Sequence, residues 1–180
     1  MAAIFNTTMD QGADWTLQVN YRQPAEITNI VGNGTTVTVT AENSFTVGQT
    51  VSIDGVIPSQ YNLQNVTVDS ATGSFFTILN AATGTYISGG IASGALDISG
   101  YTAKMQMRSE PNDVDAVLTL DTTSGITING PIGQITLFAT ATETYAIDEG
   151  PYYYDLEIYS GPNVTRVIQG QIVVSAEVTQ

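Results

Sequence analysis

Hydrophobic and polar residues alternate along most of the chain with a period of two. From Trp15 to Tyr21, large apolar side chains occupy the odd positions and polar side chains the even ones. Such alternation places each set on one face of a half-buried β-strand. The pattern returns at Tyr101 to Arg108 and, over shorter runs, at Val37 and Val39, Val51 and Ile53, Val66 and Val68, Ile126 and Ile128, and Ile135 and Leu137.

Turn-forming residues separate these short runs, for example Gly32-Asn33-Gly34 and Asn129-Gly130-Pro131. Short strands divided by such turns are typical of an all-β sandwich or barrel. One helical turn is expected around Thr140 to Ile147, with Thr142 as its cap. The sequence therefore predicts an all-β fold without a long helix.

The run from Tyr152 to Tyr159 contains four of the chain's nine tyrosines. Alternation places Tyr152, Tyr154, Leu156 and Ile158 on one face and Tyr153, Asp155, Glu157 and Tyr159 on the other. An exposed tyrosine row is compatible with a carbohydrate platform or a protein interface, but ordinary cross-strand packing is favoured because tyrosine is common in strands. Trp15, the only tryptophan, is expected in the core.

A change in composition indicates two domains. Between Ile27 and Ala92 the chain has no Lys or Arg and is rich in Thr, Val, Gly and Ser. The first strand would lack a neighbour unless it pairs with strands beyond Ala95. We therefore expect a discontinuous β-sandwich from residues 1–25 and 94–180, carrying a small β-domain, residues 26–93, inserted in a loop and projecting outward. One continuous sandwich is the alternative.

The composition excludes several classes of chemistry. The 180 residues include 17 Asp and Glu but only 4 Lys and Arg, with no His and no Cys, for a net charge of −13. Without His or Cys the chain cannot form a serine–histidine or cysteine–histidine nucleophile, a typical zinc site or a disulfide. Without a basic surface it is a poor partner for nucleic acid or an anionic membrane.

Paired carboxylates remain the only acid–base candidates, because two carboxyl groups suffice for glycoside hydrolysis. The candidates are Glu110, Asp113 and Asp115, the pair Asp148 and Glu149, and the pair Asp155 and Glu157. None lies in a recognisable cleft pattern, and the loop from Glu110 to Asp115 lacks the spacing of a calcium loop. The sequence predicts no catalytic, cofactor-binding or metal-binding residue, and no enzyme activity.

The segment Asp97-Ile-Ser-Gly-Tyr101 has a structural interpretation. The side chains of Asp97 and Ser99 can accept or donate hydrogen bonds to nearby backbone groups, and Gly100 can adopt a positive φ. This turn would lead the chain into the strand that begins at Tyr101. No stretch has the features of a targeting or membrane segment, so we expect a protein made in the cytoplasm of its producer.

Several motifs in the outer segments resemble a β-sandwich module of tailed-bacteriophage virion proteins. They are Gln11-Gly-Ala-Asp-Trp15-Thr-Leu, Asp97 to Arg108, Gly133-Gln-Ile-Thr-Leu137, Tyr152-Tyr-Tyr154-Asp155-Leu156-Glu-Ile158, and Val164 to Val174, which contains Gly170. The module is similar to the immunoglobulin-like N-terminal modules of upper baseplate proteins. In that family the second motif follows the first closely, so the long intervening segment agrees with an insertion.

The inserted segment resembles small β-domains of phage tail and fibre proteins, through Phe45 to Val56, Val66 to Val68 and Phe75 to Ile78. The resemblance implies a structural virion protein of the tail, the baseplate or a fibre attachment, present in symmetric copies. Its partners would be other virion proteins and copies of itself, and it would assemble in the host cytoplasm. A capsid decoration protein is the alternative within this class, and a carbohydrate-binding module that recognises host surface glycan is the alternative from another class.

Overall fold

The structure, a computed structural model, describes residues 2–178 and consists almost entirely of β-strands. In chain order the elements are β1 (Ala3–Ile4), β2 (Thr7–Asp10), β3 (Trp15–Asn20), β4 (Arg22–Glu26), β5 (Asn29–Asn33), β6 (Thr36–Thr40), β7 (Thr50–Asp54), β8 (Leu63–Ala71), β9 (Phe75–Leu79), β10 (Thr83–Thr85), β11 (Ile91–Ala95), β12 (Thr102–Arg108), β13 (Leu118–Asp121), β14 (Ile126–Asn129), β15 (Gln134–Ala139), α1 (Ala141–Tyr145), β16 (Gly150–Ser160) and β17 (Asn163–Ser175). Single 3₁₀ turns cover Ser59–Tyr61 and Gly130–Ile132. The all-β prediction is confirmed.

Helix α1 lies where the sequence predicts a helical turn, but its cap is Thr140, so the expectation of Thr142 was wrong. The Thr140 hydroxyl accepts a hydrogen bond from the Glu143 N–H, and the Glu143 carboxylate accepts one from the Thr140 N–H at 2.8 Å. This reciprocal pair satisfies two groups at the helix start. Asp14 adds a third bond, to the N–H of Ala141 at 2.8 Å.

The chain divides into two compact units. Unit 1 comprises Met1–Tyr21 and Asp97–Gln180, and unit 2 comprises Arg22–Leu96. The sequence placed the first boundary after residue 25, but β4 pairs with β11 inside unit 2, so residues 22–25 belong to unit 2. The last pair of that ladder, Arg22 with Ala95, brings the two ends of unit 2 side by side. That either unit folds alone stays a prediction.

Unit 1 contains two sheets. One has six strands in the order β1-β17-β16-β12-β13, with β2 also on β17, and the other has the order β14-β15-β3. Strands β1 and β2 run parallel to β17, while the other pairs are antiparallel. Fully buried side chains come from both sheets, among them Met105, Leu156, Ile135 and Leu137. This arrangement is consistent with a β-sandwich.

The segment between β1 and β2 crosses β17 at Gly170. A Cβ atom at this position would lie 2.0 Å from the carbonyl oxygen of Phe5, which is too close for any side chain. The same carbonyl accepts a hydrogen bond from the Tyr154 hydroxyl at 2.8 Å, and the Asn6 side chain accepts one from the N–H of Gln171. Gly170 therefore allows the first strands to lie against β17.

Unit 2 is a single sheet of eight strands in the order β10-β5-β6-β9-β8-β7-β11-β4. Strand β4, at one end of this order, leads through only two residues into β5, which is second from the other end. The sheet surrounds one core to which most of its strands contribute, with Val37, Ile53, Phe76 and Ala92 fully buried. Phe45 packs edge-on against Phe76 with ring centroids 5.2 Å apart.

Candidate functional site

The residues that the sequence singled out as structural are placed in unit 1. Trp15 is buried, and its indole N–H donates to the carbonyl of Thr8 at 2.9 Å. Tyr154 and Leu156 are buried on β16, and burial raises the pKa of Tyr154 to about 12. A phenol with so high a pKa stays protonated near neutral pH, so it serves as a hydrogen-bond donor to Phe5.

The turn before β12 is built from its own side chains. Asp97 accepts a hydrogen bond from the N–H of Ser99 at 2.8 Å, and bonding to Ser99 lowers the pKa of Asp97. Gly100 has a φ of +79°, and the N–H of Tyr101 donates to the carbonyl of Ile98 at 3.1 Å. The segment closes a turn and presents no reactive group.

The candidate carboxylates are not gathered into one site. The loop from Glu110 to Asp115 is exposed, and its Asp113 carboxylate accepts from the N–H of Glu110 at 2.9 Å. Asp148 and Glu149 are exposed just before β16. Within residues 2–178, no three His, Cys, Asp or Glu side chains converge in a group that could hold a metal ion.

Asp155 and Glu157 lie on the outward face of the six-stranded sheet, which we call the polar face. Its residues are Lys104, Gln106 and Arg108 on β12, Tyr153, Asp155 and Glu157 on β16, and Arg166, Gln169 and Gln171 on β17. Lys104 is opposite Glu157, and Gln106 is opposite Asp155. Every basic residue of the chain except Arg22 is on this face.

Arg166 is the centre of a charged network on the polar face. Its guanidinium lies 3.0 Å from Asp155, 3.4 Å from Glu157 and 3.2 Å from the side-chain oxygen of Gln169. Tyr159 donates its hydroxyl to Glu157 at 2.9 Å. Because these ion pairs are half-exposed, each contributes at most about 1 kcal/mol to stability. Their main effect is to fix the orientation of the side chains.

Burial dominates the electrostatics of Asp155. Its pKa is raised because desolvation of the carboxylate outweighs the attraction of Arg166, and the negative charge of Glu157 acts in the same direction as desolvation. The side chain is about a third exposed, at 34%. One of its oxygens contacts Arg166.

A groove with a volume of about 470 Å³ runs over one part of the polar face. It is lined by Ile4, Asn6, Gln106, Arg108, Pro111, Tyr153, Tyr154, Asp155, Arg166, Gln169, Gly170 and Gln171. Sequence alternation predicted that Tyr153 and Asp155 share a face, and the structure places both in the groove. It could not predict that Asn6 and Gln171 would join them, because their pairing links opposite ends of the chain.

Unit 2 carries a second notable surface, on the outside of four neighbouring strands. Strands β10, β5, β6 and β9 are adjacent in the sheet and contain no charged residue. We call their outward side the uncharged face; it consists of Asn29, Val31, Asn33, Thr36, Thr38, Thr40, Phe75, Thr77, Leu79, Thr83 and Thr85. Val31 and Leu79 are 57% and 71% exposed. Asp69, 3.5 Å from the Thr77 hydroxyl, lies at its rim.

The edges of this sheet are less open than its face. Strand β4 carries Arg22, Pro24 and Glu26, and charges and proline are typical ways of preventing pairing at an edge. On β10 the carbonyls of Thr83 and Gly84 accept side-chain hydrogen bonds from the 3₁₀ turn at Ser59–Tyr61. An incoming chain would therefore meet the face more easily than an edge.

The chain has no match among protein-family models or among curated proteins. Among residues 2–178, no helix has the length and apolar character needed to cross a membrane.

Proposed function

We propose that this chain is a structural protein of a tailed-phage virion, a tail, baseplate or fibre-attachment component that acts through contacts between subunits. The uncharged face of unit 2 carries this proposal. Interface centres are depleted in charged residues relative to the rest of a protein surface. Four adjacent strands without a charge form the longest such run among residues 2–178 of this acidic chain, and the three strands β14, β15 and β3 of unit 1 form a shorter one.

The occupant of the uncharged face that we propose is a second copy of this chain. Two molecules of charge −13 repel each other at most orientations. The uncharged face is a surface on which two copies can approach without burying like charges. Four strands about 4.8 Å apart and about five residues long cover roughly 300 Å², well below the usual 800 Å² per partner. A contact of this size is weak by itself and becomes stable when repeated in an assembly.

The topology of unit 1 supports the resemblance to immunoglobulin-like virion modules. The order β14-β15-β3 in one sheet and β13-β12-β16-β17 in the other corresponds to the two-sheet arrangement of that fold. Tyr152, near the start of β16, donates its hydroxyl to the carbonyl of Asp148 at 2.9 Å. A tyrosine bonded to the backbone a few residues upstream at this corner is a known feature of such sandwiches.

The test is self-association of the full chain, measured by sedimentation equilibrium at increasing protein and salt concentration. We expect association to increase with salt, because salt screens the repulsion between copies. Thr38→Arg, at the centre of the uncharged face, should abolish the increase. Thr50→Arg, an exposed threonine on β7, is the matched control and should behave like the wild type. Equal association of the two variants would rule out this face as the contact.

A further inference from the structure

The groove on the polar face of unit 1 has a chemistry that differs from the uncharged face. Its two guanidinium groups are occupied by neighbouring groups of the protein. Arg108 donates to the carbonyl of Asp113 at 2.6 Å and to the side-chain oxygen of Gln106 at 2.9 Å. Arg166 contacts Asp155, Glu157 and Gln169. Neither cation is therefore available to bind an anion without losing these bonds.

The polar groups of the groove that have no hydrogen-bond partner in the part of the chain that the structure describes either carry no charge or can only accept hydrogen bonds. The side-chain oxygen of Gln169 accepts a hydrogen bond from Arg166, which leaves the NH₂ group of Gln169 available to donate to a ligand. Asn6 uses its oxygen on the backbone of Gln171, which likewise leaves an NH₂ group. The Gln171 side chain and the Tyr153 hydroxyl have no hydrogen-bond partner among residues 2–178. Asp155 adds a carboxylate oxygen as an acceptor.

This combination matches a polyhydroxylated ligand. A sugar hydroxyl both donates and accepts, so it can bond to an amide and a carboxylate at once. The C–H face of a sugar ring is apolar and packs against an aromatic ring, and Tyr153 is 37% exposed. A volume of about 470 Å³ lies within the range of small-molecule sites.

We propose that this groove binds a short neutral oligosaccharide, with a sugar ring against Tyr153 and hydroxyls on the amides of Gln169 and Gln171. The hydrogen bonds that Arg166 donates to Gln169 and that the Gln171 N–H donates to Asn6 hold the site in place before the ligand arrives. The inference is independent of the proposed subunit contact, because the groove is in unit 1 and the uncharged face is in unit 2.

The test is a titration of the ¹⁵N-labelled full chain with neutral oligosaccharides containing glucose, galactose, mannose, rhamnose or N-acetylglucosamine, each followed by NMR. We expect at least one to shift the side-chain amide resonances of Gln169 and Gln171, with a Kd of about 1 mM. Tyr153→Ala should weaken binding about tenfold or more. Tyr145→Ala, which removes another exposed tyrosine of unit 1, is the matched control and should leave binding unchanged.

Gln171→Ala provides a second variant, and the dispersion of each spectrum shows whether the variant is folded. The proposal is overturned if no neutral sugar shifts these resonances at tens of millimolar, or if Tyr153→Ala and Tyr145→Ala bind equally. Tighter binding of an oligogalacturonate would also overturn it, because the arginines would then carry recognition. The proposal is also overturned if no sugar binds and Tyr153→Ala prevents incorporation of the chain into particles. The groove would then be a contact with another protein.

Discussion

At the scale of single residues, several side chains hold the chain in place through one backbone contact each. Trp15 donates to Thr8, Tyr154 to Phe5 and Tyr152 to Asp148. In each case a mostly buried aromatic ring contributes apolar area while its polar atom satisfies a carbonyl. These three residues thus act as structural anchors, whereas Tyr153 is 37% exposed and anchors nothing in this way among residues 2–178.

Replacing Tyr152 by phenylalanine tests the corner contact. The change removes the hydrogen bond to Asp148 and keeps the ring, so the free energy of unfolding should fall by about 1 kcal/mol in urea denaturation. Tyr145→Phe is the control, because Tyr145 is 61% exposed. A loss for Tyr152→Phe no larger than that of the control would show that the corner hydrogen bond is unimportant.

At the scale of elements, helix α1 is too short to be stable by itself. Hydrogen bonds of side chains near its two ends stabilise it. Thr140 and Glu143 close a reciprocal pair at the start, and the Thr144 hydroxyl donates to the carbonyl of Ala13 at 2.8 Å. The helix is thereby attached to the turn between β2 and β3. Hydrogen bonds from Thr140 lower the pKa of Glu143 below the ordinary 4.5.

This lowered pKa predicts a pH dependence. Glu143 in the folded state holds its proton less tightly than in the unfolded chain, so its contribution to stability is present above about pH 4.5 and is lost as the pH falls through its folded pKa. Glu143→Gln keeps a side chain that can complete the cap but removes the titration. The difference in the free energy of unfolding between wild type and variant, measured by denaturant unfolding, should narrow as the pH falls from about 6 to about 3. A constant difference would contradict this assignment.

The cap also shows what the sequence could and could not reveal. The spacing of Thr140 and Glu143 is a recognisable capping signal, so the sequence contains the information that places the cap at Thr140 and not at Thr142. The alternation at Trp15 to Tyr21 and at Tyr152 to Ile158 was sufficient to assign buried faces, because a strand has only two sides. The groove was not predictable in the same way, because Asn6, Tyr153 and Gln171 meet only after β16 and β17 pair and the first strands join β17.

At the scale of the whole molecule, the division of the chain has a simple physical basis. Unit 2 begins and ends on neighbouring strands, since Arg22 is paired with Ala95. A unit whose ends lie together can be removed without stretching the chain that remains. The charge is also unevenly arranged, since Lys104, Arg108 and Arg166 all lie on the polar face of unit 1.

Excision of unit 2 tests this organisation. Joining Tyr21 to Asp97 through a short Gly-Ser linker should leave a chain that unfolds cooperatively, and residues 22–96 made alone should also fold. Circular dichroism and thermal unfolding would measure both. If neither piece unfolds cooperatively, the two units do not fold independently and the boundary describes only their contacts.

The most direct measurement of the central claim is electron cryo-microscopy of phage particles purified from the producing cells, with the chain carrying a label. We expect density for repeated copies at the tail or baseplate, with the uncharged face around Thr38 covered by a neighbouring copy. Density confined to the capsid lattice would instead make the chain a decoration protein. Absence of the chain from the particles, or copies whose uncharged face is open to solvent, would contradict the proposed role in contacts between subunits.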